Sequence, residues 1–230
     1  MSSTTSPKML TTQERTKMQS STSLTVAVGP KKKLYFLPKS IVSHYYSPHF
    51  ACTLENTKKL ELLGETTDNF DVIVDYMMRN IIPGEKNANS KRTIDDNKDT
   101  IAQCLRFLEF ADKYELGDVS EVLYGPLSKA ICDLSFHKKR GDSPRSSKVQ
   151  KQCGIEGSDI ERIFSLCPAG SRLRTLAAQA SLSFSGPQAL DTWSEQTENV
   201  PGFAGELMGQ LATSFQRQQW MDPVIKQKRQ

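Results

Sequence analysis

The sequence predicts an α+β protein: a small sheet of three short strands with a cluster of α-helices, then a helical extension, with disordered ends. Three observations lead there. Leu24-Thr-Val26-Ala-Val28 alternates with period two, the mark of a half-buried strand. Phe70, Ile73, Val74, Met77 and Ile81 fall on one helical stripe. The 230 residues are only 37% hydrophobic with a mean hydropathy of −0.49, so one compact core is expected beside polar segments that bury little.

Taken in order, residues 1–22 are rich in Ser, Thr and Lys with few apolar anchors, and disorder is expected. The strand at 24–28 is followed by Gly29-Pro30-Lys31-Lys32 as a turn, then by Lys33-Leu34-Tyr35-Phe36-Leu37, the second strand of a hairpin, ended by Pro38. Ile41, Val42, Tyr45 and Tyr46 have helical spacing. Ser47-Pro48 reads as an N-cap with proline in the first turn, opening a short helix through Phe50 and Leu54. Leu60-Glu-Leu62-Leu63-Gly64 is a third strand. Thr67-Asp68 caps the stripe helix, and Pro83-Gly84 stops it.

Residues 83–99 read as a polar loop, and Ile101 to Tyr114 as the strongest helix, ended by Gly117. Asp118-Val-Ser-Glu121 starts another helix, which Tyr124-Gly125-Pro126 interrupts and Leu127, Ala130, Ile131 and Leu134 continue. Further helices are expected from Ser158 and from Ser171, a loop over 185–202, and a last amphipathic helix through Phe203, Leu207, Leu211 and Phe215. The expected organisation is a disordered leader over 1–22, a folded domain over 23–135, a basic linker over 136–154, a helical extension over 155–220 and a basic tail over 221–230.

Charge narrows the functional classes. The net +4 arises in two short places: residues 1–23 carry three bases and one acid, and residues 137–151 carry six bases and one acid. Residues 24–136, with 14 bases and 16 acids, are slightly acidic, whereas a nucleic-acid-binding domain spreads Lys and Arg over a folded face. Nucleic acid is therefore not the expected partner. The linker at 137–151 reads as a solvated connector, with a nuclear-targeting or phosphate-binding patch, or phosphorylation at Ser143-Pro144, as the sharper alternative, and a nuclear transcriptional regulator acting through this linker as the competing class. No run approaches the roughly 18 apolar residues of a membrane span, and the start lacks a signal-peptide core. Five widely spaced cysteines without a Cys-x-x-Cys pair fit a reducing compartment, cytoplasmic or nuclear.

Three segments, in order, carry a resemblance: Tyr35-Phe36-Leu37-Pro38-Lys39-Ser40-Ile41-Val42 leading to Ser47-Pro48-His49-Phe50; Asp68-Asn-Phe70 leading to Tyr76-Met77-Met78-Arg79-Asn80-Ile81-Ile82; and Leu105-x-Phe107 leading to Ala111-Asp112-Lys113-Tyr114-Glu115-Leu116. They resemble the BTB/POZ domain family over about residues 23–135. Residues 155–182, with Pro168-Ala-Gly170-Ser171-Arg-Leu173-Arg174, look like the helical extension of fungal BTB proteins. Lys39 stands where many members carry His, and Met78 where they carry a second Tyr. The resemblance implies protein–protein recognition without catalysis: self-association as a homodimer or scaffold, adaptor duty for a cullin-type ubiquitin ligase, or corepressor recruitment. The polar leader argues against the strand-swapped dimers that such domains form. The nearest match to the cullin-binding apolar-x-Glu pattern is Ile94-Asp95-Asp96.

No catalytic, cofactor or metal residue is assigned. His44 and His49 stand beside Ser43, Ser47, Tyr45 and Cys52, yet no third ligand or orienting acid is placed with them, and a surface or helix-junction role accounts for each. Asp95, Asp96 and Asp99 lack the spacing and glycine of a calcium loop. No glycine-rich phosphate loop follows a strand. Cys104 and Cys132 lie on apolar faces and are expected to be inert buried thiols. For protein binding, the expected exposed anchors are Tyr45, Tyr46, Met78 and Arg79, at the end of the two early helices.

Overall fold

Gly29, at φ +74°, and Lys32, at φ +51°, turn the chain between two strands that pair antiparallel, β1 (Ser23–Val28) and β2 (Lys33–Pro38). The computed structural model describes residues 10–45, 58–82, 92–140, 154–185 and 188–215, with the backbone alone over 136–140. A third strand, β3 (Lys59–Leu62), lies parallel to β1 on its other side, so the sheet is mixed and ordered β2-β1-β3. Leu24, Val26 and Leu37 on its inner face are nearly sealed, and Leu62 joins them. The fold class expected from the periodicity is thus observed at the level of α+β with a three-stranded sheet.

The chain divides into two compact units, one of residues 1–86 and 106–122, the other of residues 87–105 and 123–230. Both long helices, α4 (Ile94–Lys113) and α5 (Ser120–Arg140), have residues in each unit.

In the first unit, α2 (Lys39–Tyr45) buries Ile41, Val42 and Tyr45. α3 (Thr67–Arg79) buries Phe70, Ile73, Tyr76 and Met77, four residues of one stripe. Thr66 is its N-cap, its hydroxyl accepting from the Asn69 N–H at 3.3 Å, one residue before the expected cap. Asn80, in the left-handed region at φ 53°, ends it before Pro83 is reached. α4 ends in the same way at Glu115 (φ 53°), with the Leu116 N–H donating to the Ala111 carbonyl at 2.8 Å, rather than at Gly117. The ring of Tyr76 meets Phe107 edge to face at 5.0 Å and Tyr45 at 5.2 Å, an aromatic line that fixes α2, α3 and α4 in this unit.

Four further expectations are corrected, two of them through a local capping signal. The leader is helical over α1 (Thr12–Gln19), because Thr11 and Glu14 form a reciprocal capping box: the Glu14 N–H donates to the Thr11 hydroxyl and the Thr11 N–H to the Glu14 carboxylate. Of the polar loop expected over 83–99, residues 83–91 lie outside the described residues and 94–99 are helical. Thr93 and Asp96 repeat the capping arrangement at 2.9 and 3.1 Å and open α4 at Ile94. The helix expected to break at Tyr124-Gly125-Pro126 continues, with Pro126 inside α5. The loop expected over 185–202 holds α8 (Ala189–Thr192) and α9 (Ser194–Asn199). The helix expected from Ser47, most of the basic linker and the tail lie outside the described residues.

The second unit is helical. α6 (Gly157–Leu166) buries Ile160, Ile163 and Phe164; α7 (Arg172–Ser185) buries Leu173, Leu176, Ala177, Ala180 and Leu182; α10 (Phe203–Ser214) buries Phe203 and Leu207. Phe203 packs edge to face on Phe164 at 5.4 Å. Trp193, between α8 and α9, is buried and donates its indole N–H toward the Ser181 carbonyl (3.2 Å) and the Ser185 hydroxyl (2.8 Å). Arg174 donates to the Phe164 carbonyl and lies over the Phe164 ring at 5.0 Å. The Arg172 guanidinium stacks on Tyr124 at 3.7 Å.

Candidate sheet-edge interaction site

β2 is an edge strand of the described sheet, and its two faces differ from what an ordinary half-buried strand shows. Side chains alternate, so Tyr35 and Leu37 point inward while Leu34 and Phe36 point outward. The inward pair is well held. Tyr35 packs edge to face on Phe70 (4.8 Å, 68°), and its hydroxyl donates to Asp71 Oδ1 at 2.8 Å. Lys33 Nζ reaches Asp71 Oδ2 at 3.3 Å and lies 4.8 Å over the Tyr35 ring. Partial burial, opposed by Lys33 and reinforced by the hydrogen bond to Asp71, holds the Tyr35 hydroxyl above the ordinary tyrosine range.

The outward pair is not covered. Leu34 is 52% and Phe36 68% exposed, the latter the most exposed large apolar side chain among the described residues. Across the sheet Phe36 stands in a row with Thr25 and Lys59, and Leu34 in a row with Ala27 and Glu61. Lys59 Nζ pairs with Glu61 Oε1 at 2.6 Å and Lys32 Nζ with Glu61 Oε2 at 3.6 Å, so an ion-paired border flanks two bare apolar anchors.

Among the described residues the edge is also open along its backbone. The Lys39 N–H donates to the Thr22 carbonyl at 2.9 Å, which marks 22/39 as a hydrogen-bonded pair of the ladder. Pairs alternate in an antiparallel ladder, so 24/37, 26/35 and 28/33 carry the bonds to β1. The N–H and C=O of Leu34 and Phe36 therefore point away from β1, along the same edge that exposes their side chains.

The four residues expected as anchors fare differently. Tyr45 is 1% exposed, with its hydroxyl donating to Asn80 Oδ1 at 3.2 Å, and it is corrected to a core residue: its ring closes the aromatic line with Tyr76. Tyr46 lies outside the described residues. Met78 is half-buried, its carbonyl taken by Arg15 at 3.0 Å. Arg79 is exposed and pairs with Asp75 one turn back. Leu34 and Phe36 were missed as anchors because Leu34-Tyr35-Phe36-Leu37, four apolar and aromatic residues in a row, reads simply as the hairpin's second strand. The available signal was that all of Leu34 to Leu37 are apolar or aromatic beside a turn, one face more than a half-buried edge strand needs.

The remaining chemistry is sparse. His44 is exposed on α2, and His49 lies outside the described residues. Asp96 is engaged as a cap, and Asp95 and Asp99 are exposed. Among the described residues no three His, Cys, Asp or Glu side chains come close enough to hold a metal ion, and no helix is long and apolar enough to cross a membrane. Cys132 is half-buried rather than buried, whereas Cys104 is fully buried, and burial pushes its thiol up to about 12 against the charge of Arg92. Alkylation of the native protein at pH 8 is thus expected to spare Cys104 and to modify it only in denaturant; native labelling of Cys104 as fast as Cys132, read by peptide mass mapping, would contradict the burial.

Compared with family models, with curated proteins and with solved structures, the chain matches none.

Proposed function

We propose that the chain is a non-catalytic protein–protein interaction module of the BTB/POZ kind, and that it meets its partner at the sheet edge. The observation that carries this reading is the exposure of Leu34 and Phe36, two large apolar side chains side by side on an ordered strand with an ion-paired border. Interfaces draw their energy from a few such anchors ringed by polar groups. The α+β class with its three-stranded mixed sheet is compatible with such a module. Adaptor duty for a cullin-type ligase is the alternative. Against it, the Asp96 carboxylate of Ile94-Asp95-Asp96 is already taken by the Thr93 N–H and hydroxyl.

Phe36→Asp is expected to abolish capture of partners from source-cell extract, with the thermal melt unchanged because the side chain makes no core contact to lose. His44→Ala, a surface substitution, should leave capture intact. Retained capture by Phe36→Asp would exclude the sheet edge, and loss of a turnover activity in His44→Ala with all partners still bound would overturn the non-enzymatic reading.

A further inference from the structure

The helical unit holds a cleft of about 560 Å³ whose walls come from α6, α7 and the turn that enters α10. We infer that it binds a free α-amino acid with an apolar side chain. The inference is independent of the sheet edge, whose residues belong to the first unit. The volume falls within the roughly 300–1,000 Å³ of small-molecule sites. The lining also has their make-up, an apolar wall from Phe164, Val200 and Pro201 with a few placed charges.

Arg174 supplies the carboxylate end. Its Nη2 donates to the Phe164 carbonyl and its guanidinium lies over the Phe164 ring, which fixes it at the cleft wall. Among the described residues no carboxylate pairs with it, and its Nε is shut from solvent with no acceptor. A partly buried guanidinium without a counter-charge is costly to hold, and a carboxylate is its natural partner. Nη1 is the donor left for a ligand. It would stand 3.5 Å from a β-carbon at position 202, so Gly202, which enters α10 at φ +84°, leaves it uncovered. The same glycine gives α10 no side-chain cap, so the positive end of that helix adds to the field of Arg174.

Glu161 supplies the ammonium end. It is exposed, lines the same cleft and stands three residues before Phe164 on α6, one turn away on that helix. Yet it forms no ion pair with Arg174. Glu206, the acid in the first turn of α10, is engaged elsewhere, accepting from the Thr175 hydroxyl at 3.4 Å. Opposite charges that share a cleft without meeting suit a ligand that carries both. A phosphate would meet Glu161 as a like charge, and a plain cation would meet Arg174 in the same way. A free α-amino acid has its two charges on neighbouring groups and an apolar side chain to lay against Val200 and Pro201.

The test titrates the full 15N-labelled chain with L-phenylalanine, with 3-phenylpropanoate, which lacks the ammonium, and with 2-phenylethylamine, which lacks the carboxylate. L-phenylalanine should move the amide signals of Val200 and Gly202 and saturate below about 10 mM, and each analogue should bind about tenfold more weakly or worse. Glu161→Gln, a substitution at an exposed position, should weaken L-phenylalanine by about tenfold and leave 3-phenylpropanoate unchanged. Arg174→Lys keeps the charge but loses the planar fork, and should weaken L-phenylalanine and 3-phenylpropanoate together. Because Arg174 also holds the Phe164 carbonyl, its variant is read only at an unchanged melt, and the Glu161 variant stands without it. No saturable shift up to about 10 mM L-phenylalanine, an analogue bound as tightly as the amino acid, or unchanged L-phenylalanine binding in Glu161→Gln would overturn the inference.

Discussion

Replacing Phe70 with alanine is expected to remove about 3–5 kcal/mol of stability, a large share of the roughly 5–15 kcal/mol that holds a domain folded. Phe70 is 1% exposed on α3 and sits between two aromatic neighbours, edge to face with Tyr35 at 4.8 Å and tilted on Phe110 at 6.1 Å. Truncation would leave a cavity that two rigid rings cannot fill without leaving their rotamers. Because Tyr35 lies in β2 between Leu34 and Phe36, the same substitution should also loosen the open strand and weaken partner binding. Urea unfolding followed by circular dichroism reads the first effect as a lower midpoint at unchanged slope. A loss below about 1 kcal/mol would mean that Phe70 is not packed as described.

Trp193→Ala is expected to have a comparable effect in the second unit, about 3–5 kcal/mol. The indole is buried, and its N–H serves the Ser181 carbonyl and the Ser185 hydroxyl near the end of α7. Trp193→Phe separates the two contributions. It keeps most of the apolar volume and removes the donor, so its cost should be nearer to about 1–3 kcal/mol, the scale of losing the donor of buried hydrogen bonds. Equal losses for the two variants would assign the whole effect to the hydrogen bonds, and no loss for either would place Trp193 outside the core.

The parts of the fold legible in the sequence are those where burial repeats with a period. Val26 and Val28 alternate, and Phe70, Ile73 and Met77 recur on one helical face; each is sealed in the structure. The parts that were not legible depend on single side-chain-to-backbone bonds. Thr11 with Glu14 and Thr93 with Asp96 start helices in stretches whose composition suggests none, since a capping box costs two residues and leaves no trace in mean polarity. Tyr45 illustrates the opposite error. An aromatic residue near a helix end suits either an anchor or a core position, and only the neighbouring Tyr76 ring, 31 positions later, decides between them. The sheet edge escaped for a related reason: periodicity tells which residues share a face of β2, but not which strand lies at the border of the sheet.

The carbonyl of Leu10 is a meeting point: Arg15 Nη2 donates to it at 3.0 Å, Asn80 Nδ2 at 2.9 Å, and Arg15 in turn holds the Met78 carbonyl. The bond from Asn80 spans 70 positions of chain. On the ribosome, which adds about 5–20 residues each second, the first partner is made roughly 4–14 s before the second. Through that interval the carbonyl of Leu10, a residue 3% exposed once folded, lacks one of its two donors. The capping box of Thr11 and Glu14 is complete within four residues, so the local signal that starts α1 is in the chain long before the residue that ties it to α3.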